Sequence, residues 1–311
     1  MKLISVVSPC YNEEGNVAAL IERVRSLFAQ LPQYRYEHIL IDNNSTDRTV
    51  ELLRGFAAED PHVKVICNAR NFGHIRSPHH AILAASGDAV VILLSDLQDP
   101  PELVYEFLRE WEAGYPIVVG VKHTSDENTL MYGVRSFYYK LIAKLTDVKV
   151  IEHYTGFGLY DKKVIDILRK DFTDPYPYFR GQIAEIGLPH KEVRYNQSRR
   201  TRGITKNNFY TLYDIAMLGI TNLSKVPLRL VMLGGFVCAL FSLLLAFGYL
   251  VAKLLYWQHF ELGLAPIMVG LFFLGSVQLI SIGIIGEYVG SIHAFVQKRP
   301  LVIERERINF D

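Results

Sequence analysis

Leu3-Ile4-Ser5-Val6-Val7-Ser8-Pro9-Cys10-Tyr11-Asn12-Glu13-Glu14 is the stretch that decides the fold. Its first half, Leu3 to Ser8, is a short apolar run rich in β-branched residues and reads as a strand. Pro9 to Asn12 is a turn signal. Asn12 is read as a helix N-cap, with Glu13 and Glu14 in the first turn, where negative charge suits the helix dipole. Val17, Leu20, Ile21, Val24, Leu27 and Phe28 then recur at helical spacing. Strand, tight turn and amphipathic helix together make a βα unit.

The unit repeats along the next hundred residues. His38–Ile41 reads as a strand, and Ser45 to Asp47 supply caps for a helix running to Phe56. Val63–Cys67 is a strand, and Pro78–Ala85 a helix. Ala89–Leu94 is a continuous apolar strand, after which Asp99-Pro100-Pro101-Glu102 opens a helix ending near Trp111, and Ile117–Val121 is a further strand. Alternating buried strands and helices predict an α/β fold, an open and mostly parallel sheet with helices on both faces. Ligands of such sheets sit at the carboxyl ends of the strands. The loops to watch are therefore Pro9–Glu14, Asp42–Asp47, Asn68–Arg76 and Ser95–Pro101. Met131–Leu145 is aromatic-rich and reads as helix.

The chain has 311 residues, 50% of them hydrophobic, and the apolar fraction is concentrated near the end. Leu230 to Ala252 and Leu262 to Ile285 carry no charge, and each run exceeds the roughly 20 residues needed to cross a bilayer core. The sequence before them is long enough for one sizeable globular domain. A formal net charge of +1, with 17 Phe, 18 Tyr and 2 Trp, excludes a disordered or nucleic-acid-coating protein, so no nucleic-acid partner is expected. Cys10, Cys67 and Cys238 are too few and too scattered for a disulfide framework or a zinc site. The N-terminus shows no signal-peptide pattern, which predicts a cytosolic N-terminal domain.

Lys206, Lys225 and Arg229 precede the first run, and Lys298, Arg299, Arg305 and Arg307 follow the second, while the connecting segment Lys253–Glu261 is short and nearly neutral. The positive-inside rule puts both flanks, and hence both termini, on the cytoplasmic side of a multi-pass inner-membrane protein. The expected organisation is a catalytic domain over 1–193, a basic segment and amphipathic juxtamembrane helix over 194–229, two transmembrane helices over 230–285 and a cytoplasmic tail over 286–311. Asn207–Lys225 suits a helix lying in the membrane interface or an ordinary core helix.

The loops carry a resemblance. Val6 to Glu14 resembles the opening of inverting family 2 glycosyltransferases, which have the GT-A nucleotide-sugar-binding fold. Asn71-Phe72-Gly73 and Ser95-Asp96-Leu97-Gln98-Asp99-Pro100-Pro101-Glu102 are similar to the polyprenyl-phosphate glycosyltransferases. Arg202-Gly203-Ile204-Thr205-Lys206 before an amphipathic segment and two spans fits the bacterial branch acting on undecaprenyl phosphate. The resemblance covers essentially the whole chain. It implies a nucleotide-diphosphate sugar donor, a polyprenyl-phosphate acceptor, surrounding membrane lipids and a divalent cation (Mg2+ or Mn2+), and it leaves room for a homo-oligomer.

The resemblance also assigns roles. Asp96 and Gln98 stand at metal-ligand positions, whereas Leu94 replaces the first aspartate of the family's Asp-x-Asp-x-Gln pattern. Pro9, Tyr11, Glu13, Asp42 and Asn43 fall where relatives contact the nucleotide, with Asp42-Asn43-Asn44-Ser45 in place of Asp-Asp-Gly-Ser. Lys122, Arg135 and Ser136 fall where relatives bind the acceptor phosphate. Arg200, Arg202 and Lys206 are candidates to clamp donor or acceptor phosphates, and equally suit attraction to anionic lipid head groups. Asp96, Arg135 and Arg202 are the expected catalytic set. Asp99 reads as a helix N-cap or a catalytic carboxylate, Asp47 as a cap, and Thr155 to Tyr160 as the wall of the sugar pocket. Two alternatives remain: a catalytically inactive membrane-anchored nucleotide-sugar-binding protein, motivated by Leu94 and Asn43, and a polysaccharide synthase, whose Gln-x-x-Arg-Trp motif and additional spans are not visible in the sequence.

Overall fold

The computed structural model describes residues 1–122, 151, 154–196, 226–255, 264–297 and 299–310. Arg135, Ser136, Arg200, Arg202 and Lys206 lie outside the described residues. So do the helix expected over Met131–Leu145 and the juxtamembrane helix expected over Asn207–Lys225.

The N-terminal part runs β1 (Lys2–Cys10), α1 (Val17–Ala29), β2 (Tyr34–Asp42), α2 (Thr49–Glu59), β3 (Val63–Asn68), α3 (Gly73–Ala84) and β4 (Ala89–Ile92). A 3-10 turn (Pro101–Leu103) leads into α4 (Val104–Glu112), β5 (Ile117–Lys122), β6 (Tyr154–Asp161), α5 (Lys162–Asp171), α6 (Phe179–Ile186) and β7 (His190–Tyr195). Two long helices follow, α7 (Val226–Leu255) and α8 (Leu264–Val296), and then a last strand, β8 (Glu304–Ile308).

The strands form one sheet in the order β7-β5-β6-β4-β1-β2-β3-β8. β1 pairs in parallel with β2 and β4, β2 with β3, and β5 with β7, while β6 runs antiparallel between β4 and β5. The sheet is thus mixed and mostly parallel, as the strand–helix alternation predicts. Successive side chains on a strand point to opposite faces, and the two faces carry separate cores. Ile4, Val6, Leu40, Val65 and Val91 pack with Leu20 and Val24 of α1, Leu53 of α2 and Phe107 of α4. Val7, Ile39, Ile41, Ile66 and Val90 pack with Ala81 and Ile82 of α3, Val164 and Leu168 of α5 and Ile183 of α6. Both faces are covered, which is why the parallel strands read as unbroken apolar runs.

Helix α1 starts later than the sequence suggests. Asn16 is its N-cap residue, and Asn12 sits in a left-handed turn conformation with φ 56°. Asp99 is not the cap of the following helix either, since Pro100 holds that position. Helix α3 starts at Gly73, whose φ of +85° suits a residue without a Cβ, and it incorporates Pro78.

α7 and α8 are each long and apolar enough to cross a membrane, over Val226–Leu245 and Gly270–Val296, with no part of those windows buried in protein. Leu233, Phe236, Leu244, Phe272, Ile280 and Val289 are among their exposed apolar side chains. A water-soluble protein rarely leaves so large an apolar surface uncovered, and the chain is membrane-associated.

β8 is an addition that the sequence reading does not contain. It pairs antiparallel with β3 and covers what would otherwise be the sheet's edge. Glu306 pairs with Arg54 of α2, Glu304 lies 2.5 Å from His80 of α3, and Asn309 Nδ2 donates to the carbonyls of Ala57 and Val63 at 2.7 and 2.9 Å. The last strand therefore fastens the end of α8 to the globular part.

Candidate active site

The order β3-β2-β1-β4 contains a reversal. The chain steps outward from β1 to β3 and then returns to place β4 on the other side of β1. The crevice beyond the carboxyl ends of β1 and β4 is the topological switch point, where open α/β sheets bind ligands. Here Ser95 Oγ donates to the Pro9 carbonyl at 2.7 Å and lies 3.1 Å from Cys10 Sγ, so the two strand ends are stitched together. Burial pushes the Cys10 thiol up to about 12, with Asp42 and Glu13 adding to the effect. A thiol so strongly protonated is no nucleophile at neutral pH.

Loop Tyr11–Asn16 and loop Asn43–Thr49 are clasped reciprocally. Asn12 N donates to Ser45 Oγ at 2.9 Å while Asn12 Oδ1 accepts from Thr46 N at 2.8 Å. Glu13 N donates to Thr49 Oγ1 at 2.8 Å, Glu14 N to Asp47 Oδ2 at 3.2 Å, and Arg48 N to Glu14 Oε2 at 3.1 Å. Burial pulls the Asp47 carboxyl up, but hydrogen bonds from the Thr49 hydroxyl and the backbone amides of Thr49 and Glu14 outweigh it and hold the group below the usual carboxylate range. Asp47 therefore braces two loops and accepts the Thr49 N–H at the start of α2 at 3.0 Å, while the N-cap position itself is held by Arg48. Asp42 is fully buried at the end of β2 and accepts the Ser45 N–H at 3.1 and 3.3 Å. Pro9 near the end of β1 and Tyr11 and Glu13 on the loop that follows are half-buried, with Glu13 Oε2 accepting from Asn16 Nδ2 at 2.7 Å.

Asn43 has a different situation from its neighbours. Its Nδ2 donates to Asn71 Oδ1 at 3.0 Å and to the Gly73 carbonyl at 3.1 Å, and its Oδ1 accepts from Asn68 Nδ2 at 3.1 Å and Phe72 N at 2.9 Å. Two donor and two acceptor positions are all that a carboxamide offers. The expected nucleotide contact thus sits on a side chain whose hydrogen bonds are spent on the protein. It organises the Asn68–Gly73 loop, and the carboxylate of the family pattern could not make the two donor contacts.

Across the crevice, Asp96, Leu97 and Gln98 form a turn in which Gln98 N donates to Asp96 Oδ1 at 3.2 Å and Leu97 takes φ 54°. Leu94, Asp96 and Gln98 are half-buried. Asp99 is fully buried and accepts the Tyr195 hydroxyl at 2.5 Å. Tyr195, the last residue of β7, is in register with Lys122, the last residue of β5. Burial first, then the charges of Asp99 and Asp96, push the Tyr195 phenol up. Tyr195 thus links Asp99, in the loop after β4, to the carboxyl ends of β5 and β7, where Lys122 also stands. Sequence reasoning missed Tyr195, Ser95 and Asn68, because each acts through a partner remote in sequence.

Thr155 to Tyr160 departs from the expected pocket wall. Phe157, Leu159 and Tyr160 are fully buried in β6, with Phe157 packed on Phe107 at 4.9 Å and on Tyr195 at 5.5 Å between ring centroids. A Cβ on Gly158 would sit 2.5 Å from the Val118 carbonyl, so larger residues are excluded there. Thr155 alone of the stretch from Thr155 to Tyr160 is exposed.

As for a metal, no group of three or more His, Cys, Asp or Glu side chains able to hold one occurs among the described residues. Asp96 and Gln98 offer hard oxygen donors of the kind Mg2+ and Mn2+ accept, but too few to bind one without further oxygens from a ligand.

The family model for glycosyl transferase family 2 matches residues 5–168, which include both clasped loops and the Asp96 turn. The chain belongs to this family. It is an enzyme of the glycosyltransferase class. An uncharacterized glycosyltransferase of Synechocystis sp. is 33% identical over 96% of this chain and 94% of its own length. The SfII prophage-derived bactoprenol glucosyl transferase of Shigella flexneri is 32% identical over 96% of each chain. Among solved structures, glucosyl-3-phosphoglycerate synthase from Mycobacterium tuberculosis, with Mn2+, UDP and phosphoglyceric acid, is 20% identical with a TM-score of 0.49, covering 71% of this chain and 76% of that one.

Proposed function

We propose that this glycosyltransferase moves a sugar from a nucleotide-diphosphate sugar to a polyprenyl phosphate, with inversion, on the cytoplasmic face of the inner membrane, for cell-envelope glycan or lipid modification. The observation that carries the reading is the union, in one chain, of a topological switch point, with Asp42 ending β2 and Asp96 in the loop beyond β4, and two exposed apolar helices. A lipid-borne acceptor needs both. The full-length similarity to a bactoprenol glucosyl transferase supports the same acceptor class.

In this reading the nucleotide lies between the clasped loops, with Asp42, Pro9, Tyr11 and Glu13 against base and ribose and Asn43 holding the loop that faces them. An oxygen of the acceptor phosphate attacks the anomeric carbon as the bond to the diphosphate oxygen breaks. The electron pair leaves with the nucleoside diphosphate. A phosphomonoester has its second pKa near about 6, so the nucleophile arrives already ionised and needs no general base. Asp96 and Gln98 would hold a divalent cation together with the donor's phosphates, and that cation would neutralise charge on the leaving group. Lys122, with Arg135 and Ser136, would bind the acceptor phosphate, and Arg200, Arg202 and Lys206 would clamp phosphate oxygens of the donor or the acceptor.

Turnover by the purified protein with a panel of nucleotide sugars and a short polyprenyl phosphate tests the proposal. Transfer to the lipid phosphate supports it. Donor hydrolysis without lipid product, or no turnover with any donor, would end it.

A further inference from the structure

We propose that a basic cavity where α8 meets the globular part is a binding site for the phosphate head group of an anionic membrane phospholipid. The cavity, of about 570 Å3, is lined by Arg70 and Arg76 from the start of α3 and the loop before it, by Tyr176 from the α5–α6 connection, by His293 from the last turns of α8 and by Arg299 just beyond it. Among the described residues, no carboxylate lines it. Among the described residues, none of the three arginines makes an ion pair. Arg70 lies over the Phe72 ring at 4.1 Å, and Arg76 lies 5.4 Å from the ring centroids of both Phe72 and Tyr176. Arg76 Nη2 donates to the Pro300 carbonyl at 2.5 Å, and its Nε is buried without a protein partner. Aromatic faces hold these guanidinium groups in place without neutralising them, which leaves their charge for an outside anion.

Position selects the source of that anion. The apolar stretch Gly270–Val296 of α8 ends at the cavity, so the site opens at the level where the helix would leave the bilayer. The carboxyl end of α8 contributes roughly half a negative unit charge, against three full positive charges. A head-group phosphate fits that balance, and its acyl chains would run alongside α8. Phe72 forms one wall of the cavity and gives its backbone N–H to Asn43 beside Asp42, so an occupied site would steady the nucleotide-binding loop. The inference rests on the proposed membrane placement of α8 and not on the identity of the transferred sugar.

The test is native mass spectrometry of the full chain released from non-ionic detergent in equal phosphatidylglycerol and phosphatidylcholine, comparing wild type with Arg70→Gln/Arg299→Gln and Arg70→Lys/Arg299→Lys. Both positions are exposed, so folding should survive, and a size-exclusion profile checks it. The expected result is preferential retention of phosphatidylglycerol by wild type, reduced about twenty-fivefold in the glutamine variant and largely kept in the lysine variant, since each of the two basic residues near a lipid surface is worth about a fivefold change. No lipid preference, or equal retention by the glutamine variant, would overturn the site. Displacement by inorganic phosphate at matched concentration would reassign it to a soluble anion. Displacement by short polyprenyl phosphate, with a raised acceptor KM in the glutamine variant, would reassign it to the acceptor. Failure of glycosyl transfer would leave the lipid retention unchanged, so the two readings fail separately.

Discussion

Asn43 Oδ1 accepts the backbone N–H of Phe72 at 2.9 Å, tying the carboxyl end of β2 to the loop that opens α3. Because the same amide also donates to Asn71 and Gly73, this position demands a side chain with both donors and acceptors. Asn43→Asp should therefore be the damaging isosteric change. It would turn both donor contacts into oxygen–oxygen oppositions and bury a charge. A loss of about 1–3 kcal/mol in stability is expected, read as a lowered thermal midpoint, together with weaker nucleotide binding. An unchanged midpoint would show that the Asn68–Gly73 loop does not depend on Asn43.

Acid should loosen the fold through two interior histidines. Burial, with a smaller push from His80, pulls His79 down to about 4, and burial pulls His38 down to about 3, so both fold neutral. Between the ordinary histidine value and these depressed ones, the unfolded chain binds protons that the folded chain refuses. Stability is therefore full above about pH 6.5 and falls as the pH drops, at about 1.4 kcal/mol per pH unit per histidine. His79→Leu should remove one share of this slope. Thermal midpoints of wild type and variant between pH 7 and 4.5 should converge or cross as the pH falls; parallel curves would mean that His79 does not carry it.

Much of this architecture was legible because the signals were local. Unbroken apolar runs located β1 to β5 and period-3.6 apolar patterns located α1 to α4, since the strands are covered on both faces whereas each helix buries one face on the sheet. β8 was illegible because Glu304-Arg305-Glu306-Arg307 has no apolar pattern; its pairing comes from the edge of β3, which no short window of sequence reveals. At the site, the loops could be found from strand ends, and Asp42 stands at the end of β2 and Asp96 in the loop beyond β4, on either side of β1. The dual donor–acceptor use of Asn43, the burial of Asp99 against Tyr195 and the interior position of Phe157 depend on contacts between residues far apart in sequence. A motif gives residue identity and spacing, but not which hydrogen bonds are already spent.

Topology gives a direct test of the membrane reading. Single cysteines introduced in a cysteine-free background should react with an impermeant reagent from outside the cell only within 253–261. A probe at residue 45, in the loop clasped to Asn12, should react only after the membrane is opened. Labelling of intact cells at residue 45 would reverse the orientation and remove the cytoplasmic site.

The last prediction concerns the turn where Gln98 N meets Asp96 Oδ1 at 3.2 Å. With Leu94 in place of a second carboxylate, the proposed site would offer a cation one charged ligand among the described residues, and the diphosphate of the donor would supply most of the remaining oxygens. Such a site should bind Mg2+ or Mn2+ weakly in the empty protein and tightly once the nucleotide sugar is present, because a hard cation needs about six oxygens. Asp96→Asn keeps the shape and removes the charge. It should abolish turnover at ordinary metal concentrations, by a factor of about a hundred or more if one charged ligand contributes a few kcal/mol to the transition state. Folding should be retained, since Asp96 is half-exposed in a loop and supports no core packing. Leu94→Asp is the complementary variant, and should strengthen metal binding in the empty protein at the cost of partly burying a charge. The measurement is metal-dependent transfer by wild type and both variants, with metal affinity determined with and without donor. Full activity of Asp96→Asn, or wild-type turnover unaffected by thorough chelation, would assign leaving-group stabilisation to basic side chains instead.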